Sequence, residues 1–191
     1  MRFNNITLIG MTGSGKSVRG KLLAEKLNFK FIDSDEYIKQ KEKMSLQQII
    51  DNKGDKYFVK IEEKRILELL PLKKCVLSPG GSVIYSEKLM NALEKSSFIV
   101  FLQEPLKVIE KRLTDNKEIR GIVGFKSKSV KELYDERTPL YRKYATITIN
   151  CFGKSDYEIV NEIIKKLKMI KKSSIRVRHQ IRDQRSRLFS S

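Results

Sequence analysis

The sequence predicts an α/β fold: a three-layer sandwich with helices on both faces of a five-stranded parallel sheet. Two observations predict it. Short apolar runs of the kind that form buried strands alternate with longer segments whose apolar residues recur at helical spacing. The residues best suited to chemistry fall just after those runs, where parallel sheets bind their ligands.

Ile6-Thr7-Leu8-Ile9 reads as the first strand, followed by a helix with Val18, Leu22, Leu23 and Leu27 on its apolar face. Residues 29–32 form the second strand. Ser45 and Gln48 have capping-box spacing ahead of Ile49 and Ile50, and Phe58, Ile61, Ile66, Leu69 and Leu70 mark a longer helix stopped by Pro71. Cys75–Ser78 is the third strand, with a helix from Ser86 after it. Residues 98–102 are the fourth and most apolar strand, and Pro105 suits the first position of the next helix. Ser129 with Glu132 caps a further helix, residues 146–150 form the fifth strand, and Ser155 with Glu158 caps the last helix. Residues 114–128 break this rhythm. They are polar, contain Gly121 and Gly124, and are long enough to be read as a mobile lid.

The chain has 191 residues, enough for one domain with a sizeable core. Residues 1–170 are assigned to that domain. Residues 171–191 lack periodicity, carry Arg176, Arg178, Arg182, Arg185 and Arg187, and are expected to be a disordered basic tail. The formal net charge of +17 favours anionic partners without choosing among them. Most lysines lie between apolar helical positions, as on a solvated helix face. The basic residues show no aromatic interleaving, so nucleic acid is not the expected partner, although a basic nucleotide-binding module that contacts nucleic acid is the alternative from another class. Cys75 and Cys151 sit in apolar runs and read as buried free thiols. No apolar stretch approaches the ~20 residues of a membrane span, and the first apolar run leads straight into a glycine-rich turn. A cytoplasmic monomer is expected.

That turn is the most informative segment. Gly10-Met11-Thr12-Gly13-Ser14-Gly15-Lys16-Ser17 fits the phosphate-loop pattern G-x-x-x-x-G-K-[ST] without departure. Its glycines let backbone N–H groups turn toward phosphate oxygens, and the helix that follows presents its positive end to the anion. Lys16 would reach the β- and γ-phosphates and the Ser17 hydroxyl would ligate Mg²⁺. Gly13, Ser14, Gly15, Lys16, Ser17 and Val18 are therefore the candidate ATP-binding residues.

A phosphate loop names a nucleotide, not a reaction. Asp33-Ser34-Asp35 follows the second strand, Phe58 and Glu62 share a helix after Gly54-Asp55, and Gly80-Gly81 follows the third strand. Arg112 lies near a helix end, Arg120 in the loop beyond it, and Arg137-Thr138-Pro139-Leu140-Tyr141 comes late in the chain. In that order, over about residues 4–168, these segments resemble the shikimate kinase family. The resemblance implies a P-loop NTPase of the nucleoside monophosphate kinase type, with MgATP as phosphate donor and a small hydroxylated acid as acceptor. It implies that Asp33 holds Mg²⁺ through water with Ser17, and that Asp35 binds the substrate hydroxyls. Gly80 and Gly81 would admit the substrate to the backbone, and Arg137 would pair with its carboxylate. Arg120 would close over the transferring phosphate, and Arg112 would lie near the adenine. Lys16, Asp35 and Arg120 become the catalytic candidates, in a reaction governed by charge neutralisation and in-line positioning.

The chain departs from the family pattern at three places. Val59 stands where an arginine usually follows the phenylalanine, Ser82 replaces a third glycine, and Gly121 follows Arg120 where proline is common. The first removes one arm of a carboxylate clamp. Shikimate bound weakly, another group in the arginine's place, and a related polyol as acceptor are all compatible with it. Lys60 adjoins the gap but points about 100° away on a helix.

Overall fold

The computed structural model describes residues 5–115, 121–170 and 172. Its sheet has five parallel strands in the order β2-β3-β1-β4-β5: β1 (Ile6–Ile9), β2 (Lys30–Asp33), β3 (Cys75–Ser78), β4 (Phe98–Gln103) and β5 (Ile147–Asn150). The central β1 pairs Ile6 with Val76 of β3 on one side and with Phe98 of β4 on the other. Each of the five predicted strands is present within a residue or so of its expected bounds. The second starts at Lys30 because α1 (Lys16–Leu27) closes on Asn28 in the left-handed region (φ 53°), and the Phe29 amide then donates to Ala24 O at 2.9 Å.

Alternation along the strands builds two cores. Ile6, Leu8, Val100 and Leu102 meet Leu23 of α1 and Ile159 and Ile163 of the last helix, α8 (residues 156–170). Ile9, Ile99 and Phe101 face the opposite layer, formed by α4 (Asp55–Glu68), α5 (Glu87–Ser96), α6 (Leu106–Asp115) and α7 (Val130–Tyr144). A smaller cluster of Ile38, Leu46, Ile49, Ile50, Phe58 and Val123 joins α2 (Ser34–Glu42), α3 (Leu46–Lys53) and α4 to the segment after residue 121.

The capping predictions hold in atomic detail. Ser45 with Gln48 and Ser129 with Glu132 form complete boxes, and Ser155 exchanges bonds with Glu158 in the same way. Both cysteines are buried and free. Among the described residues, no helix is long and apolar enough to cross a membrane. Two expectations need correction. α4 ends at Glu68, before Pro71, because the amides of Leu69 and Leu70 tighten onto Ile66 O and Leu67 O. Val18 is not on the buried face of α1: it is 61% exposed, while its neighbour Arg19 is 2% exposed. The buried face runs through Arg19, Gly20, Leu23 and Ala24, and the arginine tolerates burial because its donors are paired there.

Candidate active site

The glycine-rich turn joins β1 to α1 at the carboxyl edge of the sheet, and a cleft of about 770 Å³ opens over it. Gly10 (φ 148°) has no room for a side chain: a Cβ there would lie 2.8 Å from Leu102 O and 2.9 Å from Ser14 Oγ. Gly13 and Gly15 also take positive φ, 85° and 77°, so the turn follows the path that the sequence pattern requires. Lys16 curls over it, donating to Gly10 O (2.9 Å) and Met11 O (3.0 Å). Burial lowers the Lys16 pKa to about 8, against the opposing pull of the Asp35 and Asp33 carboxylates. Val18 follows Ser17 in the first turn of α1 and lines the same cleft.

Asp33 and Asp35 lie beside the loop at the β2–α2 junction. Asp33 caps α2 and lines the cleft: its Oδ1 accepts from the Asp35 amide at 3.0 Å, while its Oδ2 accepts from the Ser17 hydroxyl at 2.7 Å. This joined pair of hard oxygen donors fits Mg²⁺, which takes few protein ligands and completes its shell with water and phosphate. Among the described residues no larger cluster of metal-binding side chains occurs.

At the other end of the cleft, Gly80 packs against two carboxylates. A Cβ on Gly80 would lie 2.5 Å from Glu62 Oε1 and 3.1 Å from Asp35 Oδ1. Both oxygens are buried without a hydrogen-bond partner, and Asp35, which lines the cleft, can accept from a hydroxyl brought to this spot. Burial, reinforced by Asp33, raises the Asp35 pKa to about 6. Burial raises Glu62 to about 7, opposed by the Ser82 hydroxyl, which donates to Glu62 Oε2 at 2.7 Å. Ser82, a departure from the family pattern, therefore has a partner of its own.

Arg137 is 1% exposed. Its Nε donates to Tyr85 Oη (3.0 Å) and its Nη2 to Val123 O (2.6 Å). Nη1 comes within 3.1 Å of where a Gly81 Cβ would be, and the Tyr141 hydroxyl fixes Gly81 O at 2.6 Å. Val59 is partly buried against the small apolar cluster, and Lys60 is exposed, so neither presents a buried cation here. Arg112 donates to Gly13 O (2.8 Å) and to Glu104 (3.2 Å), placing it at the nucleotide end.

The structure thus brings Lys16, Ser17, Asp33, Asp35, Gly80 and Gly81 around one cleft, with Arg137 buried directly behind Gly81. Arg120 and residues 173–191 lie outside the described residues, as do residues 1–4. The segment from residue 121 docks on α3 and α4: the Gly121 amide donates to Gln47 Oε1 (3.0 Å) and the Gly124 amide to Asp55 Oδ2 (2.9 Å). Sequence reasoning did not place Arg19, Glu104, Tyr85 or Asp156 at the site. Arg19 had a signal, a charged residue in register with Leu23 on the inward face of α1, but Val18 beside it masked that register.

A parallel sheet with this loop and this opposed pair of ends defines a P-loop phosphotransferase of the nucleoside monophosphate kinase type. The shikimate kinase family model matches residues 12–168. A shikimate kinase of Persephonella marina is 37% identical over 164 residues, covering 86% of this chain and 99% of that one. The shikimate kinase of Acinetobacter baumannii, solved in complex with shikimate, superposes with a TM-score of 0.80 at 28% identity, over 89% of this chain and 96% of that one. That of Aquifex aeolicus does so with a TM-score of 0.74 at 35% identity, over 86% and 96%. The chain belongs to the shikimate kinase family.

Proposed function

We propose that this protein transfers the γ-phosphate of MgATP to a hydroxyl of shikimate, giving shikimate 3-phosphate and ADP in the chorismate pathway. The observation that carries the reading is the cleft itself. It has a phosphate loop with Lys16 at one end and Asp35, Gly80 and Gly81 at the other, backed by the buried Glu62 behind Gly80 and the buried Arg137 behind Gly81.

In this reading the loop amides and Lys16 bind the triphosphate, while Ser17 and Asp33 would hold Mg²⁺. The bound metal would neutralise charge on the β- and γ-phosphates. Asp35 orients the acceptor hydroxyl, whose oxygen bonds to the γ-phosphorus as the bond to the β–γ bridging oxygen breaks. The hydroxyl proton passes to Asp35 or to water. With a pKa of about 6, Asp35 is mostly ionised at neutral pH and able to take it. Arg137 pairs with the acceptor carboxylate, Arg112 lies against the base, and Arg120 closes on the phosphates with the lid. A cytoplasmic monomer is sufficient for this chemistry.

Val59 supports a second reading, a kinase for another small hydroxylated acceptor. ADP release measured across shikimate and a panel of hydroxylated acids and sugars separates the two. Shikimate should be the best acceptor, and Lys16→Ala should abolish turnover without unfolding the protein. Turnover unchanged in that variant would reject the phosphate-loop assignment, and a better acceptor than shikimate would establish the second reading.

A further inference from the structure

Arg19 is among the largest fully buried side chains in the protein, and the reading above gives it no role. Its guanidinium contacts three separate parts of the fold. Nη1 donates to Ser14 O (2.8 Å), Nη2 to Glu104 Oε1 (2.7 Å) and Nε to Asp156 Oδ1 (2.8 Å). Glu104 follows β4 and its side chain is 3% exposed; Asp156 opens α8. The same Glu104 oxygen is 3.2 Å from Arg112 Nη1, which itself donates to Gly13 O. Two arginines, joined through one carboxylate oxygen, thus hold two consecutive carbonyls of the phosphate loop.

The consequence follows from peptide geometry. In a planar trans peptide the C=O and N–H point in opposite directions. Fixing Ser14 O on the Arg19 side turns the Gly15 N–H the other way. Gly15 itself lies over the guanidinium, with room for a Cβ only 3.2 Å from Arg19 Cζ. A buried ion pair is a weak source of stability, since well-packed apolar residues of similar size usually serve as well. A four-member charged group in this place is better explained by what it orients.

We propose that Arg19 is a positioning residue for the nucleotide: with Glu104, Arg112 and Asp156 it sets the phosphate loop in its anion-binding shape before the triphosphate arrives. This rests on the nucleotide-binding reading of the loop.

The test measures MgADP affinity by calorimetry, thermal unfolding, and separate KM values for ATP and the acceptor. It compares the parent with Arg19→Lys, Arg19→Met and the double variant Arg19→Met/Glu104→Met. Lysine cannot serve three partners at once, and the double variant removes the buried charges together. The expected result is an MgADP affinity and an ATP KM poorer by ~10-fold or more in every variant. The acceptor KM should stay within twofold, and the double variant should unfold near the parent temperature. MgADP affinity within twofold of the parent in any variant that unfolds cooperatively would overturn the proposal, whatever its melting temperature. Failure of all three to fold would overturn it too, because the group would then be holding the fold itself. A parent that binds no MgADP would instead reject the nucleotide-binding reading.

Discussion

At position 59 an aliphatic side chain packs against Phe58's apolar cluster; in the proposed function a guanidinium there would complete a carboxylate clamp with Arg137. Val59→Arg should lower the KM for shikimate by up to ~10–150-fold, the worth of one charge-assisted hydrogen bond, and leave the KM for ATP nearly unchanged. Steady-state kinetics on both substrates check this; tight shikimate turnover by the parent with no gain in the variant would show that another donor fills the role. Glu62 gives a second prediction. Its folded pKa of about 7 stands above the unfolded 4.5, chiefly through burial. Between those values the folded protein keeps a proton that the unfolded chain releases, so stability falls as pH rises through that window. Glu62→Gln should remove this part of the fall and stabilise the protein at pH 8 by roughly 1–3 kcal/mol. Asp35, raised from 3.8 to about 6, leaves a smaller fall at lower pH. Denaturant titrations at several pH values read both, and identical curves for parent and variant would contradict the assignment. The phosphate loop was legible in the sequence because its chemistry lies in one contiguous stretch. Arg19 was not, because its partners Glu104 and Asp156 are remote in the chain and only the fold brings them to it.

Among the elements, the strands and capping boxes were legible because each is written in local sequence. The start of α2 was less so. Asp33-Ser34-Asp35 could be read as a helix start or as a ligand site; the structure shows the helix start, with Asp33 capping α2 through one oxygen, and leaves its other oxygen on the Ser17 hydroxyl. The packing of α1 on the sheet turns on a residue that carries no side chain at all. A Cβ on Gly20 would fall 2.5 Å from Phe31 Cε2 and 3.3 Å from Leu8 Cδ1. Gly20→Ala gains helix propensity, yet it must push α1 away from β1 and β2, and overpacking of this kind costs about 1–3 kcal/mol. The variant should therefore melt at a lower temperature despite its better helix former. A higher melting temperature would mean that the Phe31 ring moves aside freely.

For the molecule as a whole, the family match ends at residue 168, and both cores close within the described chain. Removing residues 173–191 should leave the melting temperature and the kcat/KM for both substrates within twofold of the parent, as calorimetry and kinetics would show. The parallel topology also bears on synthesis. β1 and the phosphate loop are made first, but the neighbours of β1 are residues 75–78 and 98–103, far downstream. A chain growing from its N-terminus therefore carries an apolar strand with no partner until residues 75–78, about two fifths of the way along the 191-residue chain, have been made. A nascent chain stalled at residue 73 would hold the whole nucleotide-binding motif and no sheet to shape it, leaving Ile6–Ile9 available for mispairing with other chains or for capture by a holding chaperone.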